Sequence, residues 1–228
     1  MQSPDFAQFG AASLEQKDLL FLFEHFPVPG TDAVAAARRV IEQPSTLESL
    51  LESRYVQDAM LDPGAAWVNV SPKLYFNVML RRALAGRRDS GERRTIHYLA
   101  NLLALYSSNE RLHHVQSGEA ESYDYLVDLV QAARDAHHER RFLVLSQIGN
   151  YALFLAGWCA PWIEHRRRYF NRPLGLDYYC NMSRSHFASA AKHDLADAFG
   201  LKPVFAQLAI RFDYYRDGIE RMAGDRLH

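Results

Sequence analysis

An uncharged stretch of 22 residues, Phe142 to Ile163, limits the folds that are open to this chain. Arg140 and Arg141 precede the stretch, and a charged run that begins at Glu164 follows it. A helix of this length matches the thickness of a bilayer, so the stretch belongs either to a membrane or to the centre of a helical core. Polar side chains and a proline within it, and arginines at both of its ends, favour the core. We therefore predict a central buried helix and no membrane span.

The composition indicates a globular protein of 228 residues, because 48% hydrophobic and 12% aromatic residues supply a substantial core. The 26 basic and 27 acidic residues nearly cancel, so no overall field attracts nucleic acid or an anionic membrane. Two cysteines are too few for a disulfide framework or a four-thiolate metal site. The amino terminus lacks the basic segment and apolar run of a secretory signal. We expect a cytoplasmic, soluble protein, with a homodimer as the commonest symmetric assembly.

Hydrophobic spacing and proline positions predict an all-α fold, a single-domain bundle of about eight or nine helices around the apolar helix near 142–163. One domain spans 1–228, with an irregular linker at 62–72 between an N-terminal three-helix segment and the main bundle. The three N-terminal helices are expected from Ser13 to about Phe26, from Thr31 to about Glu42, and from Ser45 onwards. In the first of them we expect Leu19, Leu20 and Phe23 to point inwards.

Later helices follow from similar signals. Ser71 followed by Pro72 predicts a helix start, and that helix is expected to stop near Gly86. Two further long helices are predicted. The first runs from about Leu176 to Phe199 and is terminated by Gly200, and the second begins at about Lys202. The apolar stripe of the last helix contains Val204, Phe205, Leu208, Phe212, Tyr215, Ile219 and Met222.

The central stretch has two distinct faces. Gly149, Ala152, Ala156 and Ala160 follow one another at steps of three, four and four, so another helix can approach closely on that side. On the adjacent face, Ser146, Gln147 and Asn150 form a polar step. Buried amides need partners, which are supplied either by interhelical hydrogen bonds and trapped water or by a ligand.

The second of these alternatives is our first functional hypothesis. We predict a pocket between the helices near 142–163 and 176–199 that binds a small, partly apolar molecule. The candidate ligand-binding residues are Gln147, Asn150, Tyr151, Tyr178, Tyr179 and His186.

A metal-dependent helical enzyme is an alternative. Glu110 and His113 have the Glu-x-x-His spacing of carboxylate-bridged di-iron bundles, and Asp135 and His138 repeat it with a shorter carboxylate. Such sites need the Glu-x-x-His motif twice, together with two more glutamates. This chain contains the motif in its glutamate form once. Whether the protein is an enzyme, and with which cofactor, is left open at this point.

An anion- or nucleic-acid-binding adaptor is a third alternative, because the run from Arg81 to Arg94 holds six arginines. No clear nucleic-acid-binding signature accompanies this run in the sequence. Nucleophile elbows, phosphate loops and dinucleotide fingerprints are also absent from the sequence.

Overall fold

The computed structural model describes residues 3–10, 13–26, 43–62, 70–84, 86, 88–170 and 174–224, apart from the side chains of Pro44, Asn109 and Glu110. Its regular elements are all helical, and no strand occurs within the described ranges. The predicted all-α class is confirmed. The predicted second helix, at 31–42, and most of the predicted linker lie outside the described residues.

Contacts group the chain into two compact units. The first unit is Gln8–Ser107, and the second comprises Met1–Ala7 and Ser108–His228. The boundary between them lies just after the long helix that ends at Tyr106, and not at the predicted linker, 62–72. The single-domain organisation stays a prediction.

The first unit contains five helices within its described residues. They are α1 (Gln16–Glu24), α2 (Pro44–Leu51), α3 (Arg54–Leu61), α4 (Pro72–Ala83) and α5 (Ser90–Tyr106). The predicted start of α4 is confirmed, because the Ser71 hydroxyl accepts a hydrogen bond from Leu74 N at 3.2 Å and Pro72 occupies the first turn.

The orientation predicted for α1 was wrong. Leu20 is 44% exposed, whereas Asp18, Phe21 and Leu22 are buried. The helix begins after Glu15, not at Ser13, and it turns its acidic residue inwards because the Asp18 carboxylate accepts hydrogen bonds from both Ser71 N and Ser71 Oγ at 2.6 Å. A buried carboxylate with several donors is stable enough to override the apolar pattern around it.

The second unit opens with a short 3₁₀ turn, Asp5–Ala7. Its α-helices are α6 (Asn109–Leu112), α7 (Leu126–Asp135), α8 (His138–Gly157), α9 (Ala160–Phe170), α10 (Leu176–Ala191), α11 (Asp194–Ala198), α12 (Lys202–Ile210) and α13 (Phe212–Gly224). The described residues thus contain more helices than the eight or nine predicted, because several predicted long helices are interrupted.

Helix α8 is the centre of the second unit, as predicted. It contacts α7, α9, α10, α11 and α13, and most of its side chains are buried. At its start the fully buried Phe142 ring lies 6.5 Å from Phe6 and 6.2 Å from Phe205 between ring centroids. Burial explains why the part of this helix from Phe142 to Gly157 lacks charge, whereas its exposed first turn carries Glu139 and Arg141.

The face of small residues on α8 brings α10 into close contact. A Cβ atom added at Gly149 would lie 2.9 Å from the Phe187 ring, and the Ser183 hydroxyl donates to the Gly149 carbonyl at 2.8 Å. Gly157 makes a similar approach to Ile219 of α13, at 2.9 Å. The predicted close helix packing is therefore present.

Three of the predicted helices are broken. The uncharged stretch bends by 75° between α8 and α9, as expected from Pro161, whose ring disfavours a continuous helix through the preceding residues. The predicted helix 176–199 ends at Ala191, and His193 caps α11 by accepting from Leu195 N at 3.3 Å. Such local side-chain bonds compete with helix continuation. Gly200, with φ +64°, then ends α11.

The apolar stripe predicted for the last helix is buried throughout, but it is divided between α12 and α13. Arg211 lies between the two helices with φ −105° and ψ 33°, and its guanidinium lies 4.2 Å from the centroid of the Tyr214 ring.

No single helix within the described ranges has the length and hydropathy needed to cross a membrane. Helices α8 and α9 meet that criterion only when they are taken together across their bend.

Candidate ligand-binding site

A cavity of about 340 Å³ lies beside α8 in the second unit. Residues 124–127 form one wall, which comprises the segment before α7 and the first turn of that helix. Tyr151 and Leu155 line it from α8, and α10 contributes Tyr178 and Tyr179. The remaining lining residues are Trp162, Ile163 and Arg166 of α9, and Leu174. The volume lies within the range of small-molecule sites.

The cavity exists because α9 bends away from α8. The bend carries Trp162 and Ile163 out of the line of α8 and brings them opposite the start of α7, where Tyr125 and Val127 are exposed. Trp162 is 53% exposed, so the lining includes apolar surface that remains in contact with water. An exposed aromatic and aliphatic concavity of this kind is typical of a binding surface.

Three of the six predicted ligand-binding residues, Tyr151, Tyr178 and Tyr179, line this cavity. The Tyr178 and Tyr179 rings pack edge to face with centroids 5.3 Å apart. Burial raises the pKa of both Tyr151 and Tyr179, so their hydroxyls remain protonated donors at neutral pH. The charge of Arg166 opposes the rise at Tyr179, whereas Asp124 adds to the rise at Tyr151.

Arg166 is the cationic group of the cavity. Its guanidinium lies over the Trp162 ring, 4.5 Å from the centroid. No carboxylate within the part of the chain that the structure describes forms an ion pair with it. A planar guanidinium stacked on an aromatic face keeps the edge of its fork free to donate hydrogen bonds.

Asp124 is the acidic group of the cavity, and its side chain is 76% exposed. Its Oδ1 atom lies 3.4 Å from Nδ1 of His113, which is ion-pair distance when the imidazole is protonated. The charge of Asp124 is therefore largely solvated, in contrast to that of the half-buried Arg166.

The other predicted ligand-binding residues do not line the cavity. Gln147 is buried and accepts a hydrogen bond from Arg111 at 3.2 Å, and its amide nitrogen donates to the Leu112 carbonyl at 3.4 Å. Asn150 is fully buried in α8. His186 is half-buried, its Nδ1 lies 2.8 Å from the Met182 carbonyl, and burial lowers its pKa. For Gln147, the polar step is satisfied by the protein itself.

Arg111 was not predicted as a structural centre. It is 4% exposed, binds the Asp5 carboxylate through Nε at 2.6 Å and through a second nitrogen at 3.0 Å, and donates to the Val115 carbonyl at 2.8 Å. These bonds hold the residues before Gln8 within the second unit. Arg111 lies between the candidate metal ligands Glu110 and His113 in the sequence. The sequence does not indicate its structural role, because its partner Asp5 lies 106 residues away.

The four residues of the metal hypothesis have different partners. His113 pairs with Asp124, Asp135 accepts from Gln131 at 2.9 Å, and His138 lies 3.1 Å from Asp194. The side chain of Glu110 lies outside the described residues. Among those that are described, no group of three or more histidine, cysteine, aspartate or glutamate side chains is arranged to hold a metal ion.

The arginine run belongs to a buried charge network in the first unit. Arg81 is 1% exposed, and its guanidinium lies 2.8 Å from Glu48 and 3.0 Å from Glu52. Arg93 binds both oxygens of Glu52, at 3.0 and 3.2 Å. Arg88 donates to backbone carbonyls at the end of α4. Of the five arginines of this run that the structure describes, three are thus bound by carboxylates or carbonyls of the protein.

His97 and Asn77 complete this network. The Nε2 atom of His97 lies 2.7 Å from Glu48, while its Nδ1 lies 2.8 Å from the Asn77 amide nitrogen. Burial raises the pKa of Glu48, but hydrogen bonding to His97 and the charge of Arg81 outweigh that effect and hold it below its ordinary value of 4.5. Burial lowers the pKa of Arg81, and the charges of Glu48 and Glu52 oppose this shift.

No protein-family model matches this chain, and comparisons with curated proteins and with solved structures give no significant match.

Proposed function

We propose that the second unit is a binding module for a small, partly apolar molecule, and that the ligand occupies the cavity between α7, α8, α9 and α10. The observation that carries the proposal is a half-open cavity of about 340 Å³ whose lining is largely aromatic and aliphatic. Four tyrosines, one arginine and one aspartate supply a small number of polar side-chain groups, which is the usual composition of a ligand site.

The structure gives less support to the two alternatives. The arginines of the anion-binding hypothesis include Arg81, Arg88 and Arg93, which are already bound by carboxylates or carbonyls. The described candidates of the metal hypothesis each have a different partner. Cytoplasmic localisation and a homodimer stay predictions of the sequence.

Fluorescence titration with the neutral dye N-phenylnaphthylamine tests the proposal. Leu155→Trp places an indole in the cavity, because Leu155 lines it from the central helix. We expect saturable binding to the unaltered protein and at least a tenfold loss of affinity in this variant. Ile210→Trp is the matched control, since residue 210 is 82% exposed and does not line the cavity.

Circular dichroism and a cooperative melting transition establish that both variants are folded. Absence of saturable binding, or equal losses in the two variants, would contradict a ligand site in this cavity.

A further inference from the structure

The two charged side chains of the cavity, Arg166 and Asp124, differ in their exposure to solvent and in their partners. Arg166 is half-buried, and its guanidinium contacts the Trp162 ring rather than a carboxylate. Asp124, the opposite charge, is largely solvated and lies within ion-pair distance of His113. A charge that is already solvated gains little from a ligand, whereas a half-buried guanidinium without a carboxylate gains a strong, directional partner.

The two charges also act on different hydroxyls. Arg166 influences Tyr179 and Asp124 influences Tyr151, so the cavity has a basic side near α9 and an acidic side near α7. Tyr179 lines the same cavity as Arg166 and supplies a hydroxyl donor. A guanidinium fork and a phenol together match the acceptor oxygens of a carboxylate, sulfonate or phosphate.

We infer that the ligand of this cavity is an organic anion, with a flat apolar body held among the tyrosine and tryptophan rings and an acidic head group bound by the Arg166 guanidinium. This inference rests on the proposed function and adds the chemical class of the ligand. The exposed apolar rim formed by Tyr125, Val127 and Leu174 suits the body of such a molecule.

A pair of dyes separates the head group from the body. An anilinonaphthalenesulfonate has the same rings as N-phenylnaphthylamine and differs in the sulfonate that it carries. We expect the sulfonate dye to bind the unaltered protein at least about tenfold more tightly, as a charge-assisted hydrogen bond to a partly solvated guanidinium allows. Its affinity is expected to fall as salt is added, whereas that of the neutral dye stays constant.

Substitution of Arg166 tests the assignment. Arg166→Gln is expected to lower the affinity for the sulfonate dye about tenfold and to change the affinity for the neutral dye less than about twofold. Arg166→Lys, which keeps the charge and loses the fork, is expected to give an intermediate loss. Arg168→Gln is the matched control, because it removes the same charge from an exposed position of α9 that does not line the cavity.

The outcomes distinguish this inference from the proposed function. If both dyes bind with equal affinity and Arg166→Gln changes neither affinity, the inference of an anionic ligand is wrong, while the proposed ligand site in the cavity is retained. If Arg168→Gln weakens the sulfonate dye as much as Arg166→Gln does, the attraction comes from the surface charge of α9 and the inference is overturned. If neither dye binds, the proposed function fails together with the inference.

Discussion

Arg81 of the first unit and Arg166 of the second unit show two ways in which this chain holds a guanidinium away from bulk water. Arg81 is fully buried among Glu48, Glu52, Asn77 and His97, each within hydrogen-bond or ion-pair distance. Arg166 faces a cavity and is supported by an aromatic ring. The first arrangement uses up the binding capacity of its arginine, and the second leaves it available.

The contrast shows that the number of arginines in a segment does not predict which of them faces a cavity. The run from 81 to 94 holds more arginines, yet the buried Arg81 is neutralised by two carboxylates from the sequence around residue 50. Arg166 belongs to a run of only three arginines, and it lines a cavity. What decides is the environment of each guanidinium and not the number of them.

The largest effect is expected from Arg81→Ala. The change leaves Glu48 and Glu52 in a partly buried position without their principal cation, so the free energy of unfolding should fall by about 3 kcal/mol or more. Urea unfolding followed by circular dichroism measures it. Arg82→Ala is the control, because that side chain is exposed and its removal should cost less than about 0.5 kcal/mol. Equal effects of the two variants would remove the distinction between a structural and an available arginine.

Gly149→Ala is expected to have the next largest effect, and it tests close packing in the unit that holds the cavity. The added Cβ atom would meet the fully buried Phe187 ring at 2.9 Å, so α8 and α10 must shift. Overpacking of this kind costs about 1 to 3 kcal/mol. Gly224→Ala adds the same atom where nothing lies within 4 Å, and we expect no loss from it in the same unfolding measurement. A neutral result at Gly149 would mean that the two helices have room to separate.

Glu48→Gln tests the charge network through its pH dependence. The folded-state pKa of Glu48 lies below its ordinary value, so its ionised form stabilises the fold above about 4.5, and that contribution is lost as the pH falls through the folded-state pKa. We expect the variant to be less stable by about 1 kcal/mol at neutral pH, typical of a partly solvated charged hydrogen bond. The difference between the two proteins should shrink in acid. A difference that is constant from pH 7 to pH 3 would contradict the network.

Much of the fold was predictable because its signals are local. The Ser71 cap, the small face of α8 and the buried stripe from Val204 to Met222 each depend on residues a few positions apart. The interruptions were harder to predict. The break at His193 depends on a capping hydrogen bond that competes with helix continuation. The break at Arg211 is hidden because the apolar spacing continues across it.

The charge network had a sequence signal that hydrophobic patterning does not use. Its members come in pairs four residues apart, Glu48 with Glu52, Asn77 with Arg81, and Arg93 with His97. Residues at that spacing share a helix face, so three polar pairs on otherwise apolar helices indicate mutual burial. Which pairs meet depends on the packing of α2, α4 and α5, and no local rule supplies that.

Only three of the twelve residues that line the candidate site were predictable, for a similar reason. The tyrosines of α8 and α10 were identified because both helices have apolar spacing with aromatic residues near a polar step. Arg166 and the wall at 124–127 were missed, because they reach the cavity only through the bend after Gly157. The sequence does not show that these residues lie close to Tyr178, because they are separated from it along the chain.

The smallest effect is expected from Trp162→Phe, which sharpens the contrast between an arginine held by carboxylates and one held by a ring. Phenylalanine keeps an apolar wall but offers a weaker face to the Arg166 guanidinium, which lies 4.5 Å from the indole centroid. Loss of about 0.5 to 1 kcal/mol of cation–π stabilisation corresponds to a change of roughly two- to fivefold. We expect that decrease in the ratio of the sulfonate-dye affinity to the neutral-dye affinity.

The ratio is the informative quantity because both dyes lose the same ring contact when the indole is replaced, so that contribution cancels. If both affinities fall and their ratio stays constant, Trp162 serves the apolar body of the ligand and Arg166 needs no support from it. If the ratio falls while the neutral dye binds unchanged, the indole positions the guanidinium for the head group. In that case the availability of Arg166 depends on the aromatic ring beneath it, as the burial of Arg81 depends on its carboxylates.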